Sequence, residues 1–404
     1  MNTLVAVLVI SVLFAAGMGL ARPFEVGTIC VVAGPALLSE FGAGSLTIDN
    51  IVTVGGTCLI LVSILTSRRR WRQDAYFWYL VALSLCVALS SVANPGEGKI
   101  ESLFRYGAIL LLSIRLSVAT SSERLFALRA TLAIVALGAC SIVQQPFTRW
   151  PDPFGAREGI ADGSRYGGLF GHPNFGAYCI ALGILAMAHF HFAPKVRWPS
   201  IALLGTAILM TGSRTALGVL ALCLLFIAWR GRNRVAIILL GAATLAAPFA
   251  TVTLQRFINI FSSEKNYVGP NAGQWRIQQW GNAIEIWQER PAFGVGWYNA
   301  PNLLPRDLGV HNSYLEILVE SGIVGAIIFA AALVGLLRNA GGTSARGICL
   351  IYLLATGVTD RGLLYPSTLA VLAIVWHTTT FVDANTRGQQ PASGALEVGA
   401  ARPT

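Results

Sequence analysis

His311-Asn312-Ser313-Tyr314-Leu315-Glu316-Ile317-Leu318-Val319-Glu320-Ser321-Gly322 joins the longest polar excursion of the chain to the apolar run 323–337. A bilayer crossing takes about 20 apolar residues, and 313–337 supplies them with Glu316 and Glu320 as its acidic side chains. A titratable imidazole at the mouth of such a segment is costly unless it is used. Taken alone, His311 reads as a helix cap or a group in interfacial water. Two arginines outside the cytoplasmic leaflet change that balance.

Most of the remaining chain is lipid-soluble in the same way. Its 404 residues are 54% hydrophobic and 12% charged, with a mean hydropathy of +0.63, a composition of polytopic membrane proteins. The expected architecture is all-α and forms one integral domain over 1–383. The Gly/Ala/Pro/Gln-rich segment 384–404 reads as a disordered cytoplasmic tail. The net charge of +10 lies in short loops: Arg68 to Arg72, Lys195 and Arg197, Arg230 to Arg234, and Arg338 with Arg346. Such loops mark the cytoplasmic side, so the basicity is a topology signal and not a nucleic-acid footprint. The seven cysteines fall inside apolar runs without metal or redox spacing, which predicts free thiols.

Hydropathy predicts about twelve transmembrane helices, near 3–21, 49–66, 75–93, 103–120, 125–145, 168–192, 199–212, 214–229, 235–254, 313–337, 346–360 and 363–382. With the basic loops inside, these alternate and leave both termini cytoplasmic. Residues 3–21 lack a basic leader and a clean cleavage site and read as an uncleaved span. Residues 26–43, interrupted by Pro35, are expected to be interfacial or re-entrant. Segments 146–167 and 255–312 face the other side, the periplasm of a Gram-negative cell. Within the second, Gln274–Arg290 predicts a surface helix with Ile277, Trp280, Ile284 and Trp287 on one stripe at headgroup level.

Arg214 sits between two short apolar runs. Fourteen residues of helix rise roughly 21 Å, less than the ~30 Å hydrocarbon core, so its turn is expected to dip into a protein-lined cavity. There a guanidinium and a helix N-terminus both favour an anion; snorkelling to headgroups is the competing reading. Arg276 flanks the tryptophan stripe, with cavity lining and interfacial anchoring evenly matched. Two guanidinium forks can hold a pyrophosphate bidentately, and a neutral imidazole at His311 can take a proton from an attacking hydroxyl. That division of labour is glycosyl transfer from a lipid-linked sugar pyrophosphate. Glu316 and Glu320 fall roughly opposite His311 and read as helix-contact residues. Asn174 is placed to cap the helix that begins near His172. His189, His191 and His377 have no metal partner at useful spacing and receive no role. The sequence has no nucleotide-binding glycine loop, which argues against a reaction driven by ATP.

The Ser213-Arg214 turn, the Arg276/Trp280 helix, the Gly294-Val295-Gly296 loop and the His311-Asn312…Glu320-Ser321-Gly322 helix resemble, in that order, the O-antigen ligase and polymerase superfamily. Gly171-His172-Pro173-Asn174 resembles its upstream Pro-Asn element. The resemblance covers roughly 165–330; the N-terminal third agrees only in hydropathy. It implies an inverting, metal-independent glycosyltransferase of GT-C-like fold in the inner membrane, with its site on the periplasmic side and no cofactor. The donor would be undecaprenyl pyrophosphate-linked polysaccharide and the ligase-branch acceptor lipid A–core; polymerases use another lipid-linked repeat, and O-linked oligosaccharyltransferases a protein hydroxyl. Modest length and the lack of a large appended domain favour the ligase. His311 is then the expected base and Arg214 and Arg276 the pyrophosphate holders, with Ser213, Asn312, Glu320, His172 and Asn174 as supporting candidates. A transporter of the same lipid-linked sugar is the rival. It calls for charges along several spans and pseudo-symmetric halves, whereas the polar residues here gather around one loop. A structural scaffold ranks third, since it has no need of the arginines and the histidine together.

Overall fold

Pro173 to Ala188 are buried one after another, as in a helix surrounded on every side by other elements. This central helix, α6 (Pro173–His189), organises the molecule. The computed structural model describes residues 22–37, 42–43, 46–67, 69–71, 73–95, 101–148, 165–190, 192–231, 272–304 and 309–388. The expected spans 3–21 and 235–254, the polar stretch 255–271 and most of the tail lie outside them.

Before α6 come α1 (Pro23–Leu37), α2 (Ile48–Thr66), α3 (Ala75–Ala93), α4 (Glu101–Val118) and α5 (Ser121–Thr148), then a 3-10 turn at Gly168–Phe170. After it come α7 (Pro194–Met210), α8 (Arg214–Gly231), α9 (Ala272–Glu289) and the short α10 (Ala300–Leu303). The chain continues with α11 (Ser313–Ala340), α12 (Ala345–Gly357) and α13 (Pro366–Gly388). By length and composition, four of these can cross a membrane: Asp49–Thr66, Ala75–Ala93, Ser121–Thr148 and Ser313–Ala340. Three shorter apolar helices, α1, α6 and α12, accompany them. The architecture is that of a helical membrane protein. Its departure from all-α is an antiparallel pair of two-residue strands, β1 (Gly42–Ala43) and β2 (Leu46–Thr47), that joins α1 to α2.

Small residues let these helices approach closely. A Cβ on Gly138 would stand 2.3 Å from the Phe170 ring, so the 3-10 turn seats its aromatic side chain against α5 there. Tyrosine hydroxyls then tie off the carbonyls that precede and open α13. Tyr76 donates to Leu369 O at 2.6 Å, Tyr106 to Leu364 O at 2.9 Å and Tyr79 to Leu363 O at 3.3 Å.

Expectation and structure differ in three places. The segment 26–43, expected to be interfacial or re-entrant, contributes α1 to the core, with Val31 and Val32 fully buried. The run 199–212 is part of a longer helix opened by Pro194, and its 17 residues rise about 26 Å. The helix still falls short of the ~30 Å hydrocarbon core, so the shortfall behind the expected dip at Arg214 narrows without disappearing. The apolar stripe of α9 also splits. Trp280 and Trp287 turn inward onto a second apolar cluster with Val295, Leu304, Val310 and Val319, while Ile277 and Ile284 stay exposed. The loop after α9 supplies the inward cover, which periodicity could not foresee.

The feature that positions the site is a break in α11. Gly322 has φ 66° and ψ −169°, a conformation that L side chains rarely adopt. The break frees backbone groups, and in a membrane helix these must be bonded internally. The loop after α9 bonds them: Val295 N donates to Val319 O at 3.0 Å, Gly296 N to Glu320 O at 3.2 Å, and Ile323 N to Pro291 O at 2.9 Å. A Cβ on Gly322 would fall 2.3 Å from Ala292 O, and one on Gly294 2.4 Å from Val319 O. The two glycine motifs of the sequence are therefore each other's partners. From α3, Ser90 Oγ donates to Glu320 O, and Asn94 Nδ2 donates to Gly294 O at 3.2 Å.

Candidate functional site

Helix α12 stops at Gly357, three residues earlier than the apolar run suggests, and releases Thr359-Asp360-Arg361 into a turn. Asp360 is 1% exposed, and a buried carboxylate persists only when it is well bonded. Its Oδ2 accepts from Asn174 Nδ2 at 2.8 Å and Tyr178 OH at 2.9 Å, both on α6. Its Oδ1 accepts from Arg361 N at 2.8 Å and faces His311 Nδ1 at 3.4 Å. Its carbonyl accepts from Ser313 N and from Ser313 Oγ, which ties the start of α11 to the same turn. Burial alone would raise the Asp360 carboxyl. The hydrogen bond and charge of His311, with His172 and the Arg361 amide, outweigh it and hold the group below the usual carboxylate range.

His311 stands just before α11 with φ 52°, a strained backbone for a residue with a side chain. Its ring meets Trp275 edge-on at 5.5 Å between centroids, which brings the start of α9 against it. Trp280 Nε1 donates to Val310 O at 3.1 Å and pins α9 to the same segment. Arg276 lies one turn before Trp280 and two before Ala283, on the inner face of α9, and is half-buried. The predicted base and one predicted arginine thus lie on adjoining elements.

Arg214 is the first residue of α8 and is half-buried. Thr359 Oγ1 donates to Thr215 Oγ1 at 2.9 Å, which holds the start of α8 beside the Asp360 turn. Ser213, buried just ahead, gives its carbonyl to Leu217 N at 3.0 Å as the helix opens. A further arginine, Arg165, donates from Nε to Thr211 O at 3.1 Å and from Nη2 to Asn174 Oδ1.

The supporting residues sort differently from expectation. Asn174 does not cap α6. His172 does, its Nδ1 accepting from Asn174 N at 3.2 Å, and the Asn174 amide bridges Arg165 to Asp360 instead. Burial pushes His172 down to about 4, with the charges of Arg165 and His311 acting the same way against Asp360. Asn312 caps α11, its Oδ1 accepting from Tyr314 N and Leu315 N at 3.0 Å each. Glu316 and Glu320 do not touch His311, as the helical spacing predicts. Glu316 pairs with Arg361, Glu320 Oε1 lies 4.0 Å from the same guanidinium, and Arg361 stacks on Tyr298 at 4.4 Å.

Sequence reasoning missed Asp360 and Arg361. The signal was an adjacent acid–base pair in the polar interruption between two apolar runs, and hydropathy absorbed Asp360 into a span. Tyr178 carried no signal, since it lies within an apolar run.

The candidate site is a half-buried imidazole backed by a carboxylate, and three arginines lie on neighbouring elements: Arg165 bonded to Asn174, Arg214 at the start of α8 and Arg276 on α9. Such a place suits an anion beside a proton acceptor. No curated protein matches the chain. Residues 199–330, which carry Arg214, Arg276, His311 and Glu320, match the O-Antigen ligase family model.

Proposed function

We propose that the chain is an inverting, metal-independent glycosyltransferase that moves O-antigen polysaccharide from undecaprenyl pyrophosphate to a hydroxyl of lipid A–core. The observation that carries this reading is His311, held at positive φ with Asp360 at Nδ1, inside the segment that matches the family. Asp360 accepts a hydrogen bond from Nδ1–H, which leaves Nε2 as the base. Nε2 takes the acceptor's hydroxyl proton while that oxygen bonds to the anomeric carbon from the face opposite the pyrophosphate. The bond from the anomeric carbon to the pyrophosphate oxygen breaks, and its electron pair leaves with the phosphate. Arg214 and Arg276 hold the pyrophosphate and take up the charge that develops there. Asp360 is a positioning residue, steadying the imidazolium until its proton passes to water.

On this reading the basic loops face the cytoplasm, about twelve crossings form a GT-C-like bundle, and the site opens to the periplasm of a Gram-negative inner membrane. The test is transfer in vitro by the purified full chain, using lipid-linked polysaccharide and lipid A–core with EDTA present. A ladder on lipid A–core that disappears in His311→Ala supports the proposal. Longer chains still on undecaprenyl pyrophosphate make the protein a polymerase, and undiminished turnover by His311→Ala removes the base assignment.

A further inference from the structure

The other end of the bundle holds a second polar site that the proposed chemistry does not use. A cleft of about 560 Å³ opens between the start of α3 and the end of α11, within the size range of small-molecule pockets. It lies among the basic loops, roughly 40 Å of α11 away from His311. Trp376 of α13 forms its back wall and holds two opposite charges. The indole Nε1 donates to Asp74 Oδ2 at 3.1 Å, and the Arg346 guanidinium lies over the ring at 5.2 Å.

Each charge is anchored. Asp74 caps α3 by accepting from Phe77 N at 2.9 Å, with its side chain still 30% exposed. Arg346 donates from Nε to Ala340 O at 2.9 Å. The floor on α11 is Ala331 and Gly335, and a Cβ at Gly335 would meet nothing within 4 Å. Trp78 stands 53% exposed at the side, where an indole suits the membrane interface.

We infer that this cleft binds a zwitterionic aminophospholipid of the leaflet on the basic-loop side. Arg346 takes the phosphate, Asp74 the ammonium, and the small residues of α11 the start of an acyl chain. A purely anionic headgroup would meet the Asp74 carboxylate, and a quaternary ammonium cannot donate a hydrogen bond to it. A bound lipid here bridges α3, α11, α12 and α13 at the end opposite the site.

The experiment is native mass spectrometry of the full chain, solubilised in detergent and offered an equimolar mixture of phosphatidylethanolamine, phosphatidylglycerol and phosphatidylcholine. The wild type is expected to retain phosphatidylethanolamine about tenfold over either competitor, the scale of one charge-assisted hydrogen bond. Arg346→Gln and Gly335→Leu should each lower retention of all three lipids, whereas Asp74→Asn should level the preference among them. Gly335→Leu fills open space and improves helix propensity, so its effect does not pass through misfolding. Equal retention of all three lipids, a preference for phosphatidylglycerol, or undiminished phosphatidylethanolamine retention by Gly335→Leu overturns the inference.

Discussion

Replacing Asp360 by Asn separates a carboxylate that assists His311 from one that only holds the turn together. The amide keeps one acceptor oxygen. With that oxygen toward Arg361 N and His311, the new NH2 group faces Asn174 Nδ2 and Tyr178 OH. The tyrosine hydroxyl can rotate to accept, but Asn174 cannot flip without turning its own NH2 group onto Arg165. One buried donor is left unmatched, at about 1–3 kcal/mol of stability. The catalytic effect is separate. At 3.4 Å from His311 Nδ1, and at charge-centre separations of about 5 Å, an imidazolium–carboxylate attraction with effective dielectric ~20 is about 3 kcal/mol. Loss of that attraction as the imidazolium forms predicts a fall in kcat of about two orders of magnitude. The assay is single-turnover transfer per folded molecule, with folding followed by thermal melting in detergent. KM for the donor should change little while kcat falls. A variant that melts earlier yet turns over within about twofold of the wild type refutes the positioning role.

Gly322→Ala forces a Cβ into Ala292 O and imposes a left-handed backbone costing about 1–2 kcal/mol. Loss of two loop-to-helix hydrogen bonds adds about 1–3 kcal/mol, so melting should drop by several degrees. An unchanged melting temperature would mean the α11 break is dispensable. Arg214→Lys and Arg276→Lys should each leave at most about 1% of transfer if bidentate geometry matters; recovery above about half of wild type under saturating donor would show that a point charge suffices. For His172, lowered to about 4, the unfolded state binds more protons between that value and the ordinary ~6.5. Its contribution is therefore full above the unfolded value and is lost as pH falls through that window. His172→Gln should flatten the difference in melting between pH 7 and pH 5, and equal slopes in both proteins would contradict the assignment.

Local chemistry made much of this protein legible from sequence. A run such as 75–93 has no alternative to a helix in lipid, because its backbone groups must bond within the segment, and α3 occupies those residues. His311 announced itself by chemical contrast, as a titratable group at the edge of an apolar helix. Asp360 did not, because its importance comes from which donors converge on it. Three of those donors lie on α6 and beside α11, far away in the chain, and no periodicity encodes that meeting. The same limit hid the pairing of Gly294 with Gly322. Each glycine was visible as a motif, but that one exists to admit the other is a property of two backbones in contact.

Apolar length, charge placement and the residue types of the site were decided by the sequence itself, since transfer free energies and pKa ranges belong to individual side chains and short segments. Tertiary structure alone decided which face of α9 turns inward, that His172 and not Asn174 caps α6, and which carboxylate faces His311. Those outcomes depend on distances between groups from remote parts of the chain. Hydrogen bonds and ion pairs fall off over a few ångströms, so only the packed bundle could select them.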